Sequence, residues 1–162
     1  MIARMFAIRS AADADVQLIL QFIRDLAEYE RLAHRVVATE ETLRQSLFGS
    51  PRFAEVIVGE EDGAPVGFAL FFHNYSTFLA KPGIYLEDLF VLETQRGAGI
   101  GKQLLARLAA IAVERDCGRL EWAVLDWNKD AIRFYEGLGA KPNSDWTVYR
   151  LAGESLRSLA GE

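Results

Sequence analysis

Cysteine is nearly absent from this chain. Cys117 is the only one in 162 residues, so no internal disulfide can form, which fits a reducing compartment. Histidine is almost as scarce: His34 and His73 are the two, too few for a three-histidine metal site, and no metal is expected. No stretch approaches the roughly 20 apolar residues of a membrane span, so no membrane partner is expected. Positive charge is in deficit, with 18 Lys and Arg against 23 Asp and Glu for a net charge of -5. Such a balance advertises no nucleic-acid surface. It keeps the protein dispersed and slightly favours a cationic small molecule. The opening "MIARMFAIRSAADAD" lacks the long apolar core and cleavage site of a secretory signal, so a cytoplasmic location is expected.

What the chain does have is apolar mass. A hydrophobic fraction of 51% over 162 residues predicts one globular domain, residues 1–162, with a real core. "RMFAIRS" reads as a first strand. Val16, Ile19, Leu20, Ile23 and Leu26 recur at helical spacing, with Asp13 or Asp15 placed to cap that helix. Thr39 with Glu41 or Thr42 marks the start of a second helix, and Gly49 its end. Next come "FAEVIVGEE", a turn at Asp62-Gly63, "APVGFALFFHNYS" and "IYLEDLFVL", an antiparallel meander. The helix "GKQLLARLAAIAVERDCG" leads to "LEWAVLDW", a strand expected parallel to its predecessor. Asn128 opens the helix "NKDAIRFYEGLGA", which Gly139 ends. "WTVYRLAG" reads as a last strand, before a tail with a short helix. The order β-α-α-β-β-β-α-β-α-β is an α/β fold with a mixed sheet and helices on its faces.

Gly97, Gly99 and Gly101 alternate between Arg96 and Lys102, where a strand meets a helix. A P-loop needs glycine at position 96 and Ser or Thr at 103, and Arg96 and Gln103 stand there. The dinucleotide fingerprint needs a later glycine and a parallel unit, and neither fits. Arg-x-x-Gly-x-Gly remains. Helix N-terminal amides lack partners and the macrodipole makes that end positive, so an anion can settle there. The glycines alone suit a plain tight turn equally well; the flanking Arg96 and Lys102 favour the anion.

At these residues the chain resembles the GNAT superfamily of acyl-CoA-dependent N-acyltransferases, whose pyrophosphate signature Arg96, Gly99 and Gly101 match. "YLEDLFVLETQRGAGIGKQLL", "AVLDWNKDAIRFYEGLGA" and "LAEYE" resemble its spermidine/spermine (diamine) acetyltransferase branch, and "AVLDWN" looks most like the thialysine acetyltransferases. The resemblance implies acetyl-CoA as co-substrate, direct transfer without an acyl-enzyme, a fourth strand splayed from the fifth, and a homodimer. It implies that Leu89, Phe90 and Val91 line the cofactor, that Arg96, Gly97, Ala98, Gly99, Ile100, Gly101 and Lys102 hold its pyrophosphate, and that Asn128 adds a contact. Tyr29 and Glu30 match a substrate-contacting Tyr-Glu pair, and Asp145, in the shorter segment "PNSDW", lies near a late substrate position.

An alkyl amine arrives protonated at neutral pH and must lose a proton before it attacks a thioester. Glu87 and Asp88 interrupt an apolar strand. They read either as base and ammonium anchor or as a structural ion pair. By resemblance Glu87 contacts the amine and accepts the proton. In a regular strand Asp88 points to the opposite face and ranks lower; a bulge would change that. Tyr135 reads by pattern as a packed aromatic with a wet hydroxyl; the resemblance makes it the acid for the CoA thiolate. The expected activity is acetyl transfer to a primary amine of a thialysine-like amino acid, a diamine or a polyamine. The alternatives are a peptide or protein N-acetyltransferase and a non-catalytic acetyl-CoA sensor.

Overall fold

The computed structural model describes residues 5–162, so Arg4, the first residue of the expected opening strand, lies outside them. The described chain falls into two compact units, the first ending at Ala123 and the second Val124–Glu162. The first holds β1 (Phe6–Ser10), α1 (Val16–Tyr29), α2 (Glu40–Phe48), β2 (Glu55–Glu61), β3 (Ala64–Ser76), β4 (Lys81–Val91), α3 (Ile100–Glu114) and β5 (Leu120–Trp122). The strands form one sheet in sequence order, antiparallel from β1 to β4 and parallel between β4 and β5.

Local chemistry explains the joints. Asp62 and Gly63 both have positive φ, +52° and +79°, the geometry of a two-residue hairpin turn whose twist matches its strands. Thr39 caps α2 reciprocally: its hydroxyl accepts from the Thr42 amide at 3.2 Å, and its own amide donates to the Thr42 hydroxyl at 3.0 Å. Asp15 does something other than cap α1. Its carboxylate accepts two hydrogen bonds from Arg9, at 2.7 and 2.9 Å, and one from the Ala12 amide. Arg9 holds it below the usual carboxylate range.

Strand alternation sorts the core into two layers. Val56, Val58, Phe68, Leu70 and Phe90 pack beneath α1 and α2 with Val16, Ile19, Leu20, Phe22, Leu43 and Leu47. Phe22 stacks on Phe68 with ring centroids 5.4 Å apart. Ile57, Ala69, Phe71, Ile84 and Leu86 alternate with these and are buried; α3 packs on β2, β3 and β4. Leu104 and Leu108 of α3 are sealed completely.

The second unit contains α4 (Lys129–Gly137) and α5 (Gly153–Ala160). Asn128 caps α4 by accepting from the Ala131 amide at 3.2 Å. Gly139, at φ +90°, turns the chain beyond it. The expected strand at 146–153 is absent. Its alternating pattern finds no ladder: Val148 and Tyr149 are 87% and 92% exposed, and the sheet ends at β5. The run "LEWAVLDW" is likewise a strand only over its first three residues.

Candidate active site

The β3–β4 ladder pairs Phe68 with Phe90, Leu70 with Asp88 and then Phe71 with Leu86. One residue of β4 is therefore surplus, and it is Glu87: a β-bulge. Directly paired residues share a face, so the bulge reverses the alternation. Asp88 joins Leu70 and Phe90 on the α1 side, whereas Leu86 lies on the α3 side. The premise that ranked Asp88 below Glu87, an unbroken strand, does not hold.

Glu87 is exposed and Asp88 half-buried. Burial first, then the charges of Glu87 and Glu30, push the Asp88 carboxyl up from 3.8 to about 6. Glu30 is raised too, by burial. It follows Tyr29 at the end of α1, where Arg31 takes a left-handed φ of +62° and Leu32 donates back to the Ala27 carbonyl at 2.7 Å. A helix end closed this way is a fixed platform. Three carboxylates thus gather at one corner, and such a corner attracts a cation and offers a base.

The bulge also marks where β4 loses a neighbour. The parallel ladder to β5 joins Ile84, Tyr85 and Leu86 to Leu120, Glu121 and Trp122 and stops there. Among the described residues, β4 from Glu87 to Val91 has a ladder on its β3 side alone. This open edge carries Leu89, Phe90 and Val91 and leads toward the glycine turn. Gly97 and Gly99 have φ of +83° and +81°, and a Cβ at either would meet nothing within 4 Å. Their need is conformational, and it keeps the approach to the backbone clear. The first intrahelical bond of α3 is Gln103 to the Gly99 carbonyl, at 3.1 Å. The amides of Gly99, Ile100, Gly101 and Lys102 accordingly have no acceptor within the helix. An open strand edge followed by a bare helix N-terminus fits an amide-bearing arm that ends in a diphosphate.

Arg96 is the exception in this loop. Its Nε donates to the Val91 carbonyl at 3.0 Å, and its guanidinium lies 4.7 Å from the Tyr29 ring centroid and 5.7 Å from that of Phe90. Asn128, Tyr135 and Asp145 lie in the second unit. Tyr135 is on α4, its ring 5.3 Å from that of Phe134, and Asp145 is exposed in a turn.

Among the described residues, no group of His, Cys, Asp and Glu is disposed to hold a metal ion. No described helix is long and apolar enough to cross a membrane. A cavity of about 120 Å³ beside the start of β2 contains none of the residues marked in the sequence; charged groups such as Arg52, Arg115 and Glu55 line it, the last two ion-paired at 2.6 Å.

Residues 20–140 match the acetyltransferase (GNAT) family. The thialysine N-epsilon-acetyltransferase of Bos taurus is 40% identical, over 96% of this chain and 97% of its own. The L-ornithine N5-acetyltransferase NATA1 of Arabidopsis thaliana is 37% identical, over 96% of this chain and 89% of its own. Among solved structures, an integron cassette protein from the mobile metagenome of V. cholerae superposes with a TM-score of 0.81 at 28% identity, covering 97% of this chain and 98% of that one.

Proposed function

From the premise that the chain belongs to the GNAT family of acetyltransferases, we propose that it transfers acetyl from acetyl-CoA to a primary amine of a small cationic acceptor: a thialysine- or ornithine-like amino acid, or a di- or polyamine. The observation that carries the reading is the bulge at Glu87. It ends the ladder to β5, opens the edge of β4 and turns Asp88 toward Glu30. The relatives named for thialysine and ornithine acetylation support an acceptor with a second charged group.

Bound acetyl-CoA supplies an activated acetyl thioester. The edge at Leu89, Phe90 and Val91 offers backbone partners to its amides, the loop Gly97–Lys102 offers amides to its pyrophosphate, and Asn128 adds a contact. Tyr29, Glu30 and Asp145 receive the acceptor. Glu87 meets the reacting ammonium and forms with Asp88 the proton-accepting pair. Asp88 is suited to hold the proton, because burial and its two acidic neighbours disfavour its charge. The freed nitrogen forms the new N–C bond as the C–S bond breaks, and its surplus proton passes to solvent. Tyr135 gives its proton to the departing sulfur and regains one from solvent. A cytoplasmic homodimer is part of the same proposal.

Release of free CoA from acetyl-CoA, followed across thialysine, ornithine, lysine, putrescine, spermidine and a lysine peptide, tests the acceptor. Turnover is expected on the small amines. Turnover on the peptide alone would replace the proposal with protein acetylation, and acetyl-CoA binding without turnover on any of them would favour a sensor. Tyr135→Phe is expected to lower kcat about a hundredfold with acetyl-CoA affinity unchanged; an unaltered kcat would remove Tyr135 as the acid.

A further inference from the structure

Arg96 begins the glycine loop, and its motif counts it among the phosphate ligands. Its side chain is engaged elsewhere. Nε is committed to the Val91 carbonyl, and a guanidinium is planar, so that bond fixes the plane that faces Tyr29 and Phe90. Three places are thereby tied together: the foot of β4, the head of the loop and the last residue of α1. The loop's own backbone bonds are local, Gln95 to Leu92 and Arg96 to Glu93, and residues 97–99 are exposed. At the other end of the tie, Tyr29 precedes Glu30, whose charge reaches Asp88.

We propose that Arg96 is a positioning residue that clasps the glycine loop to the Tyr29–Glu30 corner, so that filling the loop with a diphosphate stiffens the acceptor end of α1. What the two ends bind rests on the acetyltransferase reading; the clasp itself rests on the Arg96 contacts. Before the loop is filled, the residues after Arg96 are free to move, and each excursion pulls the guanidinium from the Tyr29 ring. Fixing the loop fixes the guanidinium, then the ring, then the backbone that presents Glu30. Linkage makes the effect reciprocal: an acceptor held at Glu30 tightens the loop by the same factor. One exposed cation–π contact carries a factor of about three to five.

Hydrogen exchange on the full chain tests this, with CoA as the probe. In the unaltered protein, CoA is expected to slow amide exchange both at residues 97–103 and, by about three- to fivefold, at residues 27–32. Arg96→Gln is expected to keep protection of the loop and lose it at 27–32. Tyr29→Leu should do the same and guards against a folding defect in the first variant, whereas Tyr29→Phe, which keeps the ring, should retain the response. Protection at 27–32 that survives Arg96→Gln and Tyr29→Leu overturns the clasp and leaves the acetyltransferase reading intact. Loss of CoA binding in Arg96→Gln but not in Tyr29→Leu also overturns it, by making Arg96 a direct phosphate ligand. Failure of the unaltered protein to bind CoA overturns both readings together.

Discussion

From Ile84 to Leu86, β4 runs between β3 and β5, and Ile84 and Leu86 are sealed from water. From Glu87 to Val91 the same strand has β3 alone, and two carboxylates stand at the point of change. The first half spends its backbone and side chains on holding the sheet together. The second keeps backbone groups on one side available, and Asp88 sits where burial raises its carboxyl. One surplus residue separates a structural segment from a chemical one.

The sharpest break of that contrast is Asp88→Asn. Loss of this proton acceptor is expected to lower kcat/KM about a thousandfold at pH 7.5. The same change should raise stability. The folded carboxyl titrates near 6 against an ordinary 3.8, so the folded chain holds this proton more tightly than the unfolded one. The stabilisation is fully present below about pH 4 and lost as pH rises through about 6. At pH 8 the ionised carboxylate costs about 3 kcal/mol, which asparagine avoids, and Tm at pH 8 should rise. A variant both inactive and less stable at pH 8 would refute the assignment.

Ile84→Ala, in the paired half, should do the reverse. Emptying a fully buried site costs about 3 kcal/mol, read as a lower urea midpoint, while kcat per folded molecule stays within twofold of the parent, on the order of measurement scatter. A large drop in kcat would mean that the two halves are not separable. Glu87→Gln comes next. Wild-type kcat/KM is expected to fall as pH drops through about 6, where Asp88 gains its proton. Removing the neighbouring negative charge should move that limb to lower pH, with activity at pH 7.5 down about tenfold. A much deeper loss with an unmoved limb would assign the proton to Glu87 alone. The smallest effect belongs to Gly99→Ala. A Cβ there meets nothing, so only the left-handed backbone resists, at about 1 kcal/mol. Acetyl-CoA should bind about fivefold more weakly, with kcat preserved.

Features written within a few residues were legible in the sequence. Asp62-Gly63 turns as its composition predicts, Thr39 caps through Thr42, and the glycines at 97 and 99 have the left-handed φ their spacing suggests. The features that were not legible depend on distant partners. The bulge exists only in the register of β4 against β3, so no local pattern reveals which way Asp88 turns, although two acids in succession within an apolar strand are themselves the mark of a break in alternation. The run at 146–153 has the alternation of a strand and no ladder to join. Arg96 occupies its motif position, but its stacking on Tyr29 joins residues far apart in sequence, which a motif does not encode.

The one-sided stretch of β4 has a further consequence, for what the protein avoids. Unsatisfied strand edges are templates on which other chains add and aggregate. Here the exposed run is only five residues, about 17 Å at ordinary strand rise, and the ladder to β5 blocks its upstream end at Leu86. An incoming strand cannot extend along it to gain the many bonds that make such addition persistent. This stretch thus presents hydrogen-bonding backbone without presenting a long template for strand addition.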